Sequence, residues 1–77
     1  MIYRKSDFGK ALLKELGKGY AVARIAHWAF VEHLDHIKEL EDGLDSEMMT
    51  VIAMGEGAQF HLSEDELRQL AARLLGS

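Results

Sequence analysis

The sequence predicts an all-α, single-domain fold of four helices, and three observations carry that expectation. Proline, which breaks helix interiors, is absent from the 77 residues. Apolar residues recur at steps of three and four, which places them on one side of a helix. Capping residues and glycines stand where those periodic runs begin and end. The predicted helices span about 7–16, 20–42, 46–54 and 64–75, with residues 1–77 forming one domain around the long second helix.

The first helix is expected from Asp7 to Leu16. Ser6 is the candidate N-cap, because its hydroxyl can accept from a free amide of the first turn. Phe8, Leu12 and Leu16 form the apolar stripe with Leu13 beside it, and Lys10 and Lys14 face away. Gly17 and Gly19 end the helix.

The second helix, Tyr20 to Asp42, contains the most unusual stretch of the chain. Gly19–Val31, GYAVARIAHWAFV, has Arg24 as its one formal charge. Val22, Ala26, Ala29, Phe30, His33, Ile37 and Leu40 mark the expected inner stripe. The opposite side shows Tyr20, Ile25, Trp28 and Val31 in the first half, then Glu32, Asp35, Lys38, Glu39 and Asp42 in the second. A helix that is apolar on all sides is normally enclosed. A small domain hides only about 60% of its unfolded-chain surface. The expected cover is therefore a second copy of the chain or another partner, with Tyr20, Ile25, Trp28 and Val31 as the interface; the alternative is cover by the first helix and the N-terminal lead-in of the same chain. Gly43 is the expected C-cap.

The third helix, Ser46 to Met54, starts after Asp45 as N-cap and turns Met48, Val51, Ile52 and Gly55 inward; Gly55 and Gly57 then break it. The fourth has the clearest start. Ser63 and Glu66 fit the S-x-x-E capping box, and Leu62 and Leu67 fit the hydrophobic staple around it. Leu67, Leu70, Ala71 and Leu74 form its buried stripe, and Gly76 closes it.

Composition excludes several functions. There is no cysteine, which removes disulfides, thiolate metal sites and thiol nucleophiles. No cationic stretch leads into an apolar run with a cleavage site. The central apolar block is shorter than the roughly 20 residues a membrane span needs. A cytoplasmic location is expected on these grounds. Charge is unevenly divided: residues 1–24 carry six basic and two acidic side chains, residues 25–77 three basic and eleven acidic, so +4 stands against −8 within the net −4.

No arrangement of residues predicts catalysis. Ser6 and Ser63 serve as caps, Ser46 and Thr50 have no histidine near them in sequence, and a nucleophile needs a base within reach. The Glu64-Asp65-Glu66 run matches the acidic preference of a first helical turn. Gly55-Glu56-Gly57 lacks the strand and the lysine of a phosphate loop. Glu32, His33 and His36 are spaced so that they could share a divalent metal, although a third strong ligand is not evident and His33 also fits a core position. No cofactor is expected. The basic segment with Arg4, Lys5, Lys10, Lys14 and Lys18 offers weak nucleic-acid binding as an alternative. The helix that would enter a groove, however, presents Ala21, Val22, Ile25 and Trp28 rather than polar groups.

The order of short helix, glycine turn, longer helix with Trp28-Ala29 and capped terminal helix is similar in pattern to small bacterial immunity-type and regulatory helical proteins. The pattern transfers no residue role. The function expected from the sequence is a small, non-catalytic, homodimeric protein-interaction module of immunity, antitoxin or adaptor type. Glu32, Asp35, Glu39 and Asp42 would offer an acidic surface to a basic partner.

Overall fold

The computed structural model describes residues 1–77. It contains four α-helices: α1 (Lys5–Leu16), α2 (Val22–His36), α3 (Leu44–Ile52) and α4 (Glu64–Leu75). Short 3-10 turns at Ala53–Glu56 and Ala58–Phe60 connect the last two.

α1 begins two residues earlier than the sequence suggests. Ser6 lies inside the helix; the Asp7 carboxylate accepts from the Arg4 amide at 2.9 Å and closes the first turn instead. Phe8, Leu12 and Leu16 are buried as expected. α1 and α4 form the most extensive helix pair. At their crossing Gly9 brings the backbones together: a Cβ there would lie 3.0 Å from the Ala71 carbonyl oxygen.

The link from α1 to α2 turns on Gly19, whose φ of +114° lies in the left-handed region. Arg24 clamps it. Its guanidinium donates to the Glu15 carboxylate and the Glu15 carbonyl, both at 3.0 Å, and to the Gly19 carbonyl. Glu15, 6% exposed, also receives Lys18 at 3.3 Å. The single charge of the central block thus neutralises a buried carboxylate.

α2 is shorter than the expected 20–42. The chain leaves the helix after His36 because residues 39–41 pair with the N-terminal lead-in. Tyr3 donates its amide to the Glu39 carbonyl at 2.7 Å and accepts from the Glu41 amide at 2.9 Å. The Glu41 carboxylate in turn accepts from the Lys5 amide at 2.8 Å. Gly43 is not a C-cap of α2. With φ +86° it is the residue before α3, and it turns the chain from this bridge into that helix. Asp45 is not the N-cap of α3 but its second residue.

α3 ends at Ile52, and the 3-10 turn packs on α2. Gly55 is the close point, since a Cβ there would sit 3.3 Å from the Ala26 Cβ. α4 starts at the capping box: Ser63 Oγ accepts from the Glu66 amide at 3.1 Å, and Glu66 accepts from the Ser63 amide at 2.8 Å. Ser63→Ala should lower stability by about 1 kcal/mol, measured by chemical denaturation.

The core joins Phe8, Leu12 and Leu16 of α1 to Ile25, Ala26 and Ala29 of α2. Leu44, Met48 and Val51 of α3, Met54, and Leu67, Leu70, Ala71 and Leu74 of α4 complete it. The accessible surface, 4679 Å², is close to the roughly 4,700 Å² that size scaling gives for a lone chain of this mass. One copy therefore closes its own core.

Candidate functional site: the outer face of the second helix

The side of α2 turned to the core carries Ile25, Ala26, Ala29 and His33. Two of the four are alanines, which lets α3 and the following turn approach closely. His33 is 6% exposed, and its Nε2 meets the Asp45 carboxylate at the start of α3. It is a core histidine that ties two helices together.

This orientation divides the four residues expected at an interface. Ile25 is fully enclosed by the chain itself and has no surface to offer, which corrects its placement there. Trp28 is half-buried and stacks on Phe8, ring centroids 5.3 Å apart and planes 7° from parallel. The Tyr20 hydroxyl donates to the Leu62 carbonyl at 2.6 Å, leaving part of its ring in solvent. Val31 stays open.

Met49, Phe60 and Leu75 are exposed singly on other elements, and the longest run of uncovered apolar side chains lies elsewhere on the same helix. Phe30 is 46% exposed, Leu34 53% and Val31 38%, with Ile37 just beyond the helix end at 53%. The sequence pattern puts Phe30 and Ile37 on the inner stripe. The structure turns them outward, because the core direction follows Ala26, Ala29 and His33. Ala23 and His27 continue the exposed row toward the helix start. At the other end, Met1 lines a shallow cleft with Leu34, Asp35, Ile37, Lys38 and Glu39, and Ile2 is also exposed. An amphipathic surface helix normally turns polar side chains outward, and this row departs from that pattern.

The acidic residues expected to bind a partner are also divided. Glu32 accepts from the Tyr3 hydroxyl at 2.7 Å. Glu39 lies 3.2 Å from His36 Nδ1. Asp35 and Asp42 remain free at the surface. Among the basic residues, Lys10 and Lys14 are exposed on α1 and Arg4 on the lead-in, whereas Lys18 pairs with Glu15. The metal candidates are not brought together as a set. His36 Nε2 is 3.9 Å from Glu32, but His33 points to Asp45, and no group of three such side chains could hold a metal ion.

Sequence reasoning missed the latch beside this face. The Tyr3 ring stacks on His36 at 3.9 Å and 3°. Burial, then the hydrogen bond to Glu32 and the negative charges of Glu32 and Asp7, push the Tyr3 hydroxyl pKa well above its ordinary value. A folded-state pKa raised in this way adds stability that is complete below the unfolded value, about pH 10, and is lost as pH rises beyond it. Tyr3→Phe removes that titration. The gap between parent and variant melting temperatures should therefore narrow from about pH 9 to about pH 11; a constant gap would contradict the latch.

No helix is long and apolar enough to cross a membrane. The chain matches no protein-family model, and neither curated proteins nor solved structures show a significant similarity to it.

Proposed function

We propose that the chain is a small non-catalytic interaction module that binds protein through the outer face of α2. The observation that carries this reading is the solvent-facing row of Phe30, Val31, Leu34 and Ile37 on a domain that already closes its own core. Burying that row cannot be needed for folding, so its apolar character suits association. The groups that could do chemistry are engaged in structure. Ser63 caps α4, Thr50 bonds back to the Ser46 carbonyl, and His33, His36 and Glu32 hold α2 to its neighbours. Asp35 and Asp42, flanking the row, favour a basic rim on whatever docks there.

The test is site-specific photo-crosslinking in the cells that make the protein. A benzophenone amino acid at position 34 should give protein adducts, and one at Lys10, on α1, should not. Equal labelling at both sites, or none at position 34, would refute the reading.

A further inference from the structure

We infer that the occupant of this face is a second copy of the chain. Its α2 lies antiparallel across the first, with the two-fold axis passing near Phe30 and Val31. The inference rests on the reading of the face as a protein-binding surface and names its partner.

A two-fold interface uses one patch twice, so the patch must complement itself when inverted. This one does so in shape. Its bulky members, Leu34 and Ile37, lie toward the end of α2, and Ala23 lies at the start. Inversion about Phe30 sets Ile37 over the partner's Ala23 and Leu34 beside the partner's His27, so large meets small along the contact. A parallel arrangement would set Ile37 against Ile37 and leave the two Ala23 positions facing a gap.

Charge gives an independent argument. At the start of α2 Lys18 and Arg24 share the single carboxylate of Glu15, which leaves that end with a net charge of +1. The other end carries Asp35, Glu39 and Asp42 against Lys38. Antiparallel pairing brings the acidic end of each copy to the basic end of the other, whereas parallel pairing would oppose Asp35 to Asp35. Like charges set against each other are costly, so charge selects the antiparallel register.

Size sets the class of contact. The 15 residues of α2 make a helix about 22 Å long. A contact of one helix, widened by Met1 and Ile2, is at the small end of specific interfaces, below about 1,200 Å² in total. An interface of this size belongs to the class of transient contacts, so the dimer is expected to be reversible. Each copy closes its own core, so dilution yields folded monomers.

Sedimentation equilibrium over a micromolar concentration series reads the mass directly. The 8.7 kDa chain should approach twice its mass as concentration rises. Leu34→Lys should raise the dissociation constant roughly thirtyfold or more, as loss of a hot-spot residue does. Register is read by crosslinking, which is clean because the chain has no cysteine. A short bis-maleimide should join His27→Cys protein to Leu34→Cys protein, and Phe30→Cys protein to itself, faster than it joins 27 to 27 or 34 to 34. A monomer at every concentration overturns the inference, as does a dimer indifferent to Leu34→Lys or one crosslinked chiefly 34 to 34. If the chain is monomeric but position 34 captures a different protein in cells, the binding face stands and the second copy is refuted. If neither experiment gives a product, both readings fall.

Discussion

Phe8→Ala should lose about 3–5 kcal/mol, the cost of removing a buried aromatic ring. Phe8 is fully buried and does two things at once: it continues the α1 stripe with Leu12 and Leu16, and the Trp28 ring stacks over it. The cavity cannot collapse easily, because Gly9 already holds α1 against α4 at backbone distance. Natural domains are stable by roughly 5–15 kcal/mol, and one of this length belongs near the lower limit. The variant should therefore be partly unfolded in water at physiological temperature. Urea titration followed by far-ultraviolet circular dichroism measures the loss. Trp28 is the only tryptophan, so its fluorescence should also shift to the red in the folded baseline. A loss under about 1 kcal/mol would mean that the stacked pair is not the centre of the core.

Gly9→Val should be the second most damaging change and acts by the opposite route, overpacking. Any side chain would place its Cβ 3.0 Å from the Ala71 carbonyl oxygen, 3.2 Å from the Leu74 Cβ and 3.4 Å from the Leu75 Cγ, a crowding that a shift of a few tenths of an ångström relieves. Valine adds two methyl groups beyond that Cβ, which no such small shift accommodates, so α1 and α4 must separate. The expected cost is about 2–3 kcal/mol, in the upper range for overpacked cores, or roughly 8–24 °C in melting temperature for a domain of this size. Gly9→Ala should be much milder. Its single methyl needs only a small shift, and alanine recovers up to about 1 kcal/mol of helix propensity. If valine and alanine behave alike in thermal melts, the close approach of the helices is wrong.

Elements announced by local signals were legible in the sequence. α4 begins at Ser63 and ends at Leu75 because its capping box and its 3.6-residue apolar period agree, and the structure places both as expected. Phe8, Leu12 and Leu16 were equally plain. The end of α2 was not. Nothing local marks His36 as its last residue, since helix-compatible residues continue to Asp42. The helix stops there because Tyr3, more than thirty residues away, takes the Glu39 carbonyl and the Glu41 amide. The facing of α2 was hidden for another reason. With Tyr20, Ile25, Trp28, Phe30 and Val31 all round the first half, hydropathy has no phase. Direction is set instead by small residues, Ala26 against Gly55 and Ala29 in the core, and by the polar contact of His33 with Asp45. Leu34 joined no stripe in the sequence and now lies at the middle of the exposed row. Of the residues where excess apolar surface was expected on this helix, Val31 is open, Tyr20 is partly so and Trp28 is half-buried, whereas the exposure of Phe30, Leu34 and Ile37 was not expected. For Ile25 the expectation fails.

The central claim is that α2 is a two-faced helix whose outer apolar row plays no part in holding a single chain together. Thermal unfolding of Leu34→Lys, at a concentration low enough to keep the parent monomeric, tests it most directly. Lysine is a good helix former and sits well near a helix C-terminus, so the substitution probes burial alone. The variant should keep a stability within about 0.5 kcal/mol of the parent, as for an ordinary surface change. A loss of several kcal/mol would place Leu34 in the core and contradict the face on which the proposed function stands.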